Sequence, residues 1–213
     1  MQIIPAVLEK EKEEFWRRCE AIEKLLGVIR AQVDFCDGKF VKTASLSVQE
    51  IDVLNPVIEW EAHLMIEEPV DFFDYKMVGF TTVIVHLEAF TNEDLIQGSL
   101  QEIKRLGMKA GLAINPETPV EALLPYEGLV DQFLLMTVHP GLQGQEFLPE
   151  SLERIKDLRK ILKYAIIEID GGVNKNNIKA VIDAGADMCV IGSALNEDHD
   201  IFKSWDQLSQ IKE

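Results

Sequence analysis

Eight times along this chain a short apolar run of strand length is followed by a segment with helical periodicity, and that alternation limits the fold more than any other feature. The first six runs cover residues 2–8, 28–35, 59–66, 81–88, 109–114 and 129–138. The last two open the stretches 168–177, EIDGGVNKNN, and 188–195, MCVIGSAL. In residues 9–26, Phe15, Cys19, Ile22 and Leu26 recur at spacings of three and four, which predicts one buried helix face. Further helices are expected near residues 48–54, from Pro69, over 92–106, from Pro119, over 149–162 and after Asp198. Eight β/α pairs predict a single α/β domain over residues 1–213, a closed (β/α)8 TIM barrel, with an open doubly wound sheet as the competitor.

At 213 residues and 47% hydrophobic, the chain can bury a substantial core. With 21 Lys and Arg against 37 Asp and Glu, the formal charge of −16 argues against nucleic acid or an anionic membrane as partner. A bound phosphate would have to be held by local backbone dipoles. Cys19, Cys36 and Cys189 are odd in number and far apart, which suits a reducing cytoplasm and neither a disulfide framework nor a zinc knuckle. The N-terminus turns charged after eight residues, too early for a signal peptide, and no apolar run approaches the roughly 20 residues of a membrane span. A homo-oligomer is compatible with the fold, but no surface pattern selects one.

Barrels of this kind place their sites on the loops after the strands, where Asp34, His63, His86, His139, Asp170 and Ser193 all fall. Asp34, His63 and Asp170 stand out as ligands for a divalent metal, because two carboxylates facing one cavity repel each other unless a cation or a shared proton intervenes. The same carboxylates suit acid/base work on the two faces of a carbon next to a carbonyl. Strand-end aspartates also cap helices or bond loop amides, and that reading stands beside the metal one. Gly171, Gly172, Gly192 and Ser193 offer bare backbone and a hydroxyl to an anion, with Asn174 expected to cap the following helix. Gly141 and Gly144 lie in the loop HPGLQGQEF, which reads either as a lid or as plain turns. Met65, Met136 and Cys36 read first as core. His86 and His139 read as hydrogen-bonded structural groups rather than ligands, and His199 carries no hypothesis.

Taken together, DFCDGKFV, HLM, HLEA, GMKAGLAINPET, MTVHPGLQGQEF, IDGGVNKNN and IGSAL resemble the ribulose-phosphate 3-epimerase family over nearly the whole chain. The resemblance implies the eight-stranded barrel and reversible inversion at C3 of a phosphorylated ketose, with a divalent metal (Zn, Fe, Mn or Co). It makes Asp34 and Asp170 the acid/base pair and also metal ligands, with His63 a metal ligand that reaches the substrate. It assigns Gly171, Gly172, Gly192 and Ser193 to the phosphate pocket, Gly141 and Gly144 to a mobile loop, and Met65 and Met136 to the lining of the metal site. Two positions depart from the family pattern: Gln32 stands where a second metal histidine is usual, and Ala6 where a serine is usual. Smaller departures are Cys36, Thr43 and His139. The function these residues imply is pentose-phosphate 3-epimerisation, D-ribulose 5-phosphate to D-xylulose 5-phosphate, through an enediolate. Its alternatives are a 3-epimerase of another ketose phosphate, such as a hexulose 6-phosphate, and a non-catalytic sugar-phosphate-binding homologue that has lost part of the metal site.

Overall fold

The computed structural model describes residues 1–196 and 200–211; Asp198 and His199 lie outside the described residues. Eight strands run in the order β1 (Gln2–Val7), β2 (Arg30–Cys36), β3 (Glu59–Met65), β4 (Thr82–His86), β5 (Lys109–Ile114), β6 (Gln132–Met136), β7 (Ile167–Asp170) and β8 (Met188–Ile191). Each pairs in parallel with the next, and β8 returns to β1 through Gln2↔Met188 to Pro5↔Ile191, closing a (β/α)8 barrel. Among the described residues six α-helices cover it: α1 (Lys12–Glu23), α2 (Phe73–Val78), α3 (Glu93–Arg105), α4 (Ser151–Ile161), α5 (Ile178–Ala184) and α6 (Ile201–Ser209). No helix among the described residues is long and apolar enough to cross a membrane.

The helices form where local chemistry agrees with the packing. In α3 the Asn92 side chain accepts from the Leu95 N–H at 3.1 Å, Glu93 and Asp94 lie at the positive end of the dipole, and Lys104 and Arg105 at the negative end. Asp200 caps α6 in the same way, accepting from the Phe202 and Lys203 N–H groups. The outward faces of the strands and the inward faces of the helices share one apolar layer, in which Phe15, Trp60, Phe80, Phe133 and Ile178 are almost completely buried.

Several local expectations give way to tertiary packing. Leu26 is 93% exposed, because α1 ends at Glu23 and Leu25 takes the buried place beyond it. Residues 48–54 form only one 3-10 turn, Val48–Glu50, closed by reciprocal Ser47–Glu50 bonding; Ile51 is already extended, and Asn55 precedes a proline that disfavours helix. Pro69 does not open a helix: Glu68 turns at φ 44°, and α2 begins only at Phe73, whose N–H donates to Asp71. After Pro119 the chain forms a 3-10 helix, Val120–Tyr126, rather than an α-helix, with Pro125 inside it supplying no amide. Asn174 is not a helix cap, since α5 starts after Asn177.

The strands read as apolar runs, yet their inward positions are largely polar. Towards the amino ends of the strands, the Arg30 guanidinium donates to Glu59 at 2.9 Å and to Gln132 at 3.3 Å and lies 3.6 Å from Glu61. Gln132 in turn donates to Glu168 at 2.6 Å. Burial raises Glu61 to about 7 against the pull of Arg30, and burial plus the Glu61 charge holds Glu168 well above the carboxylate range. Above this plug, Ile4, Ala6 and Val190 pack on one side of the barrel interior, joined by Met188 beside Arg30, and Ile84, Ala113, Leu134 and Met136 on the other.

Folded-state carboxyl pKa values raised above the unfolded value of 4.5 contribute stability that is full below it and is lost as pH rises through about 7. Glu168→Gln, neutral at every pH, is therefore expected to stabilise relative to the parent chain more at pH 8 than at pH 5, read as the difference in thermal midpoints by circular dichroism. A pH-independent difference would remove Glu168 from the titrating pair.

Candidate active site

The cleft at the carboxyl end of the barrel is bounded by Ala6, Leu8, Asp34, Met65, Met136 and Asp170, by Gly171, Gly172 and Val173, by Gly192 and Ser193, and by the loop 138–145. Asp34 lies on the inward row of β2, two residues before the strand ends at Cys36, and Asp170 is the last residue of β7. Opposite Asp34 in the β2–β3 register is His63. Ligand atoms of Asp34, His63 and Asp170 lie within 4.8 Å of one another. His63 Nδ1 is 2.9 Å from Asp34 Oδ1 and 3.3 Å from Asp170 Oδ2. The two carboxylates face the cleft, whereas His63 and Gln32, both 0% exposed, lie beneath them, so His63 is not part of the cleft wall.

Gln32 occupies the centre of this group. Its Nε2 donates to Asp34 Oδ1 and to Asp170 Oδ2, both at 2.8 Å, and lies 3.4 Å from His63 Nδ1. One amide therefore supplies a proton to each carboxylate and offsets their repulsion. Its Oε1 is buried without a partner. Turning the amide over brings that oxygen to the same point, adding a fourth donor to two carboxylates and an imidazole, a set suited to a divalent cation. The side chains present therefore fit a metal, with an amide oxygen in the position of one nitrogen ligand.

Electrostatics follow from burial and contact. Burial, joined by the Asp170 charge, raises the Asp34 pKa despite the bond from His63. For His63, burial works against the charged form, but the bonds and charges of Asp170 and Asp34 outweigh it and lift the pKa to about 9. His86, also 0% exposed, is driven down to about 4, mainly by burial. It meets His63 edge to edge, Nε2 to Nε2 at 2.8 Å with ring centroids 5.0 Å apart. The sequence reading of His86 as a structural group misses this link. Its signal is the β4 pattern itself, since His86 ends the strand beside β3 and shares its inward row with Thr82 and Ile84. His139, by contrast, lies on the rim, 63% exposed in its side chain, with Nδ1 2.8 Å from Glu117.

Beside Asp170, β7 and β8 end in the glycine loops. Gly172 has φ +67°, and a Cβ there would come 2.4 Å from the Phe147 nitrogen, so the position needs glycine to admit both the left-handed turn and the neighbouring loop. Asn174 and Asn177 both donate to the Gly172 carbonyl, at 3.2 and 2.9 Å, which pins the turn in place. This role for the two asparagines depends on the fold of the turn and has no sequence signature. Gly192 has open space where a side chain would stand, and Ser193 is exposed beside it. The loop 138–145 crosses the cleft: Gly141, at φ +104°, packs its backbone against Val41, and Gln143 Nε2 donates to the Leu8 carbonyl at 3.0 Å. Met65 and Met136 are buried, Met65 against Cys36 and Val41, and both also line the cleft, so packing and lining coincide.

Comparison with known proteins agrees with the barrel fold. A family model described as the ribulose-phosphate 3 epimerase family matches residues 2–196. The chain is 34% identical over 203 residues to ribulose-phosphate 3-epimerase of Bacillus subtilis (strain 168), covering 92% of each chain. It is 36% identical over 200 residues to the chloroplastic ribulose-5-phosphate-3-epimerase of Arabidopsis thaliana, covering 91% of this chain and 70% of the relative. Among solved structures, a 3-hexulose-6-phosphate synthase superposes with a TM-score of 0.74 at 16% identity over 99% of both chains, a likeness of fold.

Gly172→Ala should lower stability by about 2–4 kcal/mol, because the new methyl group strains φ and displaces the loop at Phe147. Thermal unfolding and proteolysis of the 138–147 loop measure this, and an unchanged melting temperature would mean that the loop yields freely.

Proposed function

The chain belongs to the ribulose-phosphate 3-epimerase family, and from that premise we propose how its cleft carries out pentose-phosphate 3-epimerisation, an isomerase reaction between D-ribulose 5-phosphate and D-xylulose 5-phosphate. The observation that carries the reading is the pair Asp34 and Asp170, drawn from opposite sides of the closed barrel to one point on the cleft wall. The substrate phosphate rests on Gly171, Gly172, Gly192 and Ser193, where bare backbone and one hydroxyl meet an anion without a basic side chain. That anchor fixes the distance from phosphate to C3 and sets C3 between the carboxylates.

One aspartate, as carboxylate, removes the C3 proton; the electron pair moves into the C2–C3 bond and the C2 oxygen becomes an enediolate oxyanion. The other, as carboxylic acid, returns a proton to the opposite face of C3, and the pair ends with its protonation exchanged. Asp34, Asp170, His63 and the Gln32 oxygen would hold a divalent metal, Zn, Fe, Mn or Co. Such an ion supplies positive charge that stabilises the developing oxyanion. Loop 138–145, with Gly141 and Gly144, covers the cleft and keeps bulk water from the enediolate. Met65 and Met136 give that end of the cleft an apolar wall, which strengthens the electrostatics inside.

Asp170→Asn should reduce epimerisation of ribulose 5-phosphate by about 10³-fold or more while leaving the circular dichroism spectrum unchanged; normal turnover in this variant would sink the assignment. Exchange of the C3 proton in heavy water separates catalysis from mere sugar-phosphate binding, which would give saturation without exchange. Gln32→His exchanges the bridging amide for an imidazole and is expected to tighten Zn²⁺ binding about 10-fold or more in calorimetry. An unchanged affinity would place Gln32 outside the metal shell.

A further inference from the structure

Behind the carboxylates a hydrogen-bonded chain runs away from the cleft, and its order follows from which atoms can only accept. Glu88 lies in the 3-10 turn after β4. Its Oε1 accepts from the Asn115 N–H at 2.8 Å and from the Thr118 hydroxyl. Both of those residues are held by Arg154 of α4, which donates to the Thr118 carbonyl at 2.8 Å and to the Asn115 carbonyl at 3.0 Å. The other oxygen of Glu88, Oε2, is buried without a partner, and so is His86 Nδ1. These two atoms face each other at 3.5 Å.

A carboxylate anchored by two donors is an acceptor, so the ring atom opposite it is the protonated one: a lone pair on His86 Nδ1 would set two buried acceptors against each other. With its proton on Nδ1, neutral His86 has a lone pair on Nε2. That lone pair points at His63 Nε2, 2.8 Å away, which must then be the N–H of that contact. Every acceptor in the sequence Glu88, His86, His63 thus passes the same direction inward. His63 Nδ1 is left on the side of Asp34 and Asp170.

We infer that His86, backed by Glu88, is a positioning residue that holds His63 with its proton on Nε2, turning Nδ1 towards the two aspartates as the atom that meets a cation. The inference rests on the metal reading above for the use of Nδ1, but the proton positions on the two rings stand independently of it. Hydrogen-bond partners of this kind fix both the tautomer and the rotation of a ligating imidazole. Here the partner is a second imidazole, which transmits the direction set by a carboxylate at the end of the neighbouring strand. Neither His86 nor Glu88 lines the cleft.

The test is carried out on the full chain labelled with ¹⁵N-histidine, with and without Zn²⁺, together with calorimetric Zn²⁺ titration. Without metal, His86 is expected to show a protonated Nδ1 and a bare Nε2, and His63 a protonated Nε2; with Zn²⁺, His63 should keep the Nε2 proton while the Nδ1 signal shifts. His86→Leu, which cannot accept from His63, should weaken Zn²⁺ affinity about 10- to 100-fold, and His86→Gln, whose carbonyl can accept, should restore it to within about threefold. Glu88→Gln, a change at a half-buried turn, should permit the reverse His86 tautomer in the same spectra and provides the test if His86→Leu does not fold. A bare His63 Nε2, a protonated His86 Nε2 in the parent chain, or unchanged Zn²⁺ affinity in His86→Leu would each overturn the inference. Failure of the parent chain to take up Zn²⁺ would instead overturn the metal reading, while the His86 and His63 proton positions in the metal-free spectra would still decide this one.

Discussion

Closure of the strand ladder between β8 and β1 is the constraint on which the site depends. Asp34 is on β2 and Asp170 on β7, five strands apart; at about 4.8 Å per strand an open sheet would separate them by about 24 Å. In the barrel their ligand atoms, with that of His63, lie within 4.8 Å. A doubly wound sheet of the same eight strands would have carried the same residues and no site. Strand alternation does the rest, since Gln32 and Asp34, Glu61 and His63, and Glu168 and Asp170 each fall two apart on one strand and so turn inward together.

That inward convergence creates an electrostatic problem, which the barrel solves differently at its two levels. In the plug, Arg30 and Gln132 meet Glu61 and Glu168, and burial raises the pKa of both acids. At the cleft the bridging donor is the neutral Gln32 amide, with the His63 ring beside it. A polar interior of this kind adds little to stability compared with apolar filling. The apolar layer between strands and helices, with Phe15, Trp60, Phe80 and Phe133 buried in it, supplies the cohesion that lets the axis of the barrel be given over to chemistry.

Much of the site was legible from residue type alone. Asp34, His63 and Asp170 are polar groups at the ends of apolar runs, and such groups are rare enough to be noticed. The glycines after β7 and β8 announce backbone exposed to a ligand. His86 was read as structural because its importance lies in what it touches, a contact between β3 and β4 that no spacing along the chain encodes. Asn174 reads from sequence as a helix cap, whereas its joint grip with Asn177 on the Gly172 carbonyl depends on a loop whose shape is settled against Phe147. Helix ends were misjudged for the same reason. Leu26 has the right spacing for α1 and lies beyond its end, and the segment after Ser47 has helical spacing but is drawn out extended to bury Ile51 and Leu54.

Sequence by itself determined the eightfold alternation, the barrel it implies and the identity of the acid/base candidates, because period, length and side-chain type are local properties written in order along the chain. Tertiary structure alone decided that Gln32 lies between the two aspartates rather than merely near them, that His63 stands beneath the cleft with His86 behind it, and that the loop glycines answer to Val41 and Phe147. Those are relations between strands and loops far apart in the chain, fixed only when the barrel closes and brings their polar atoms together.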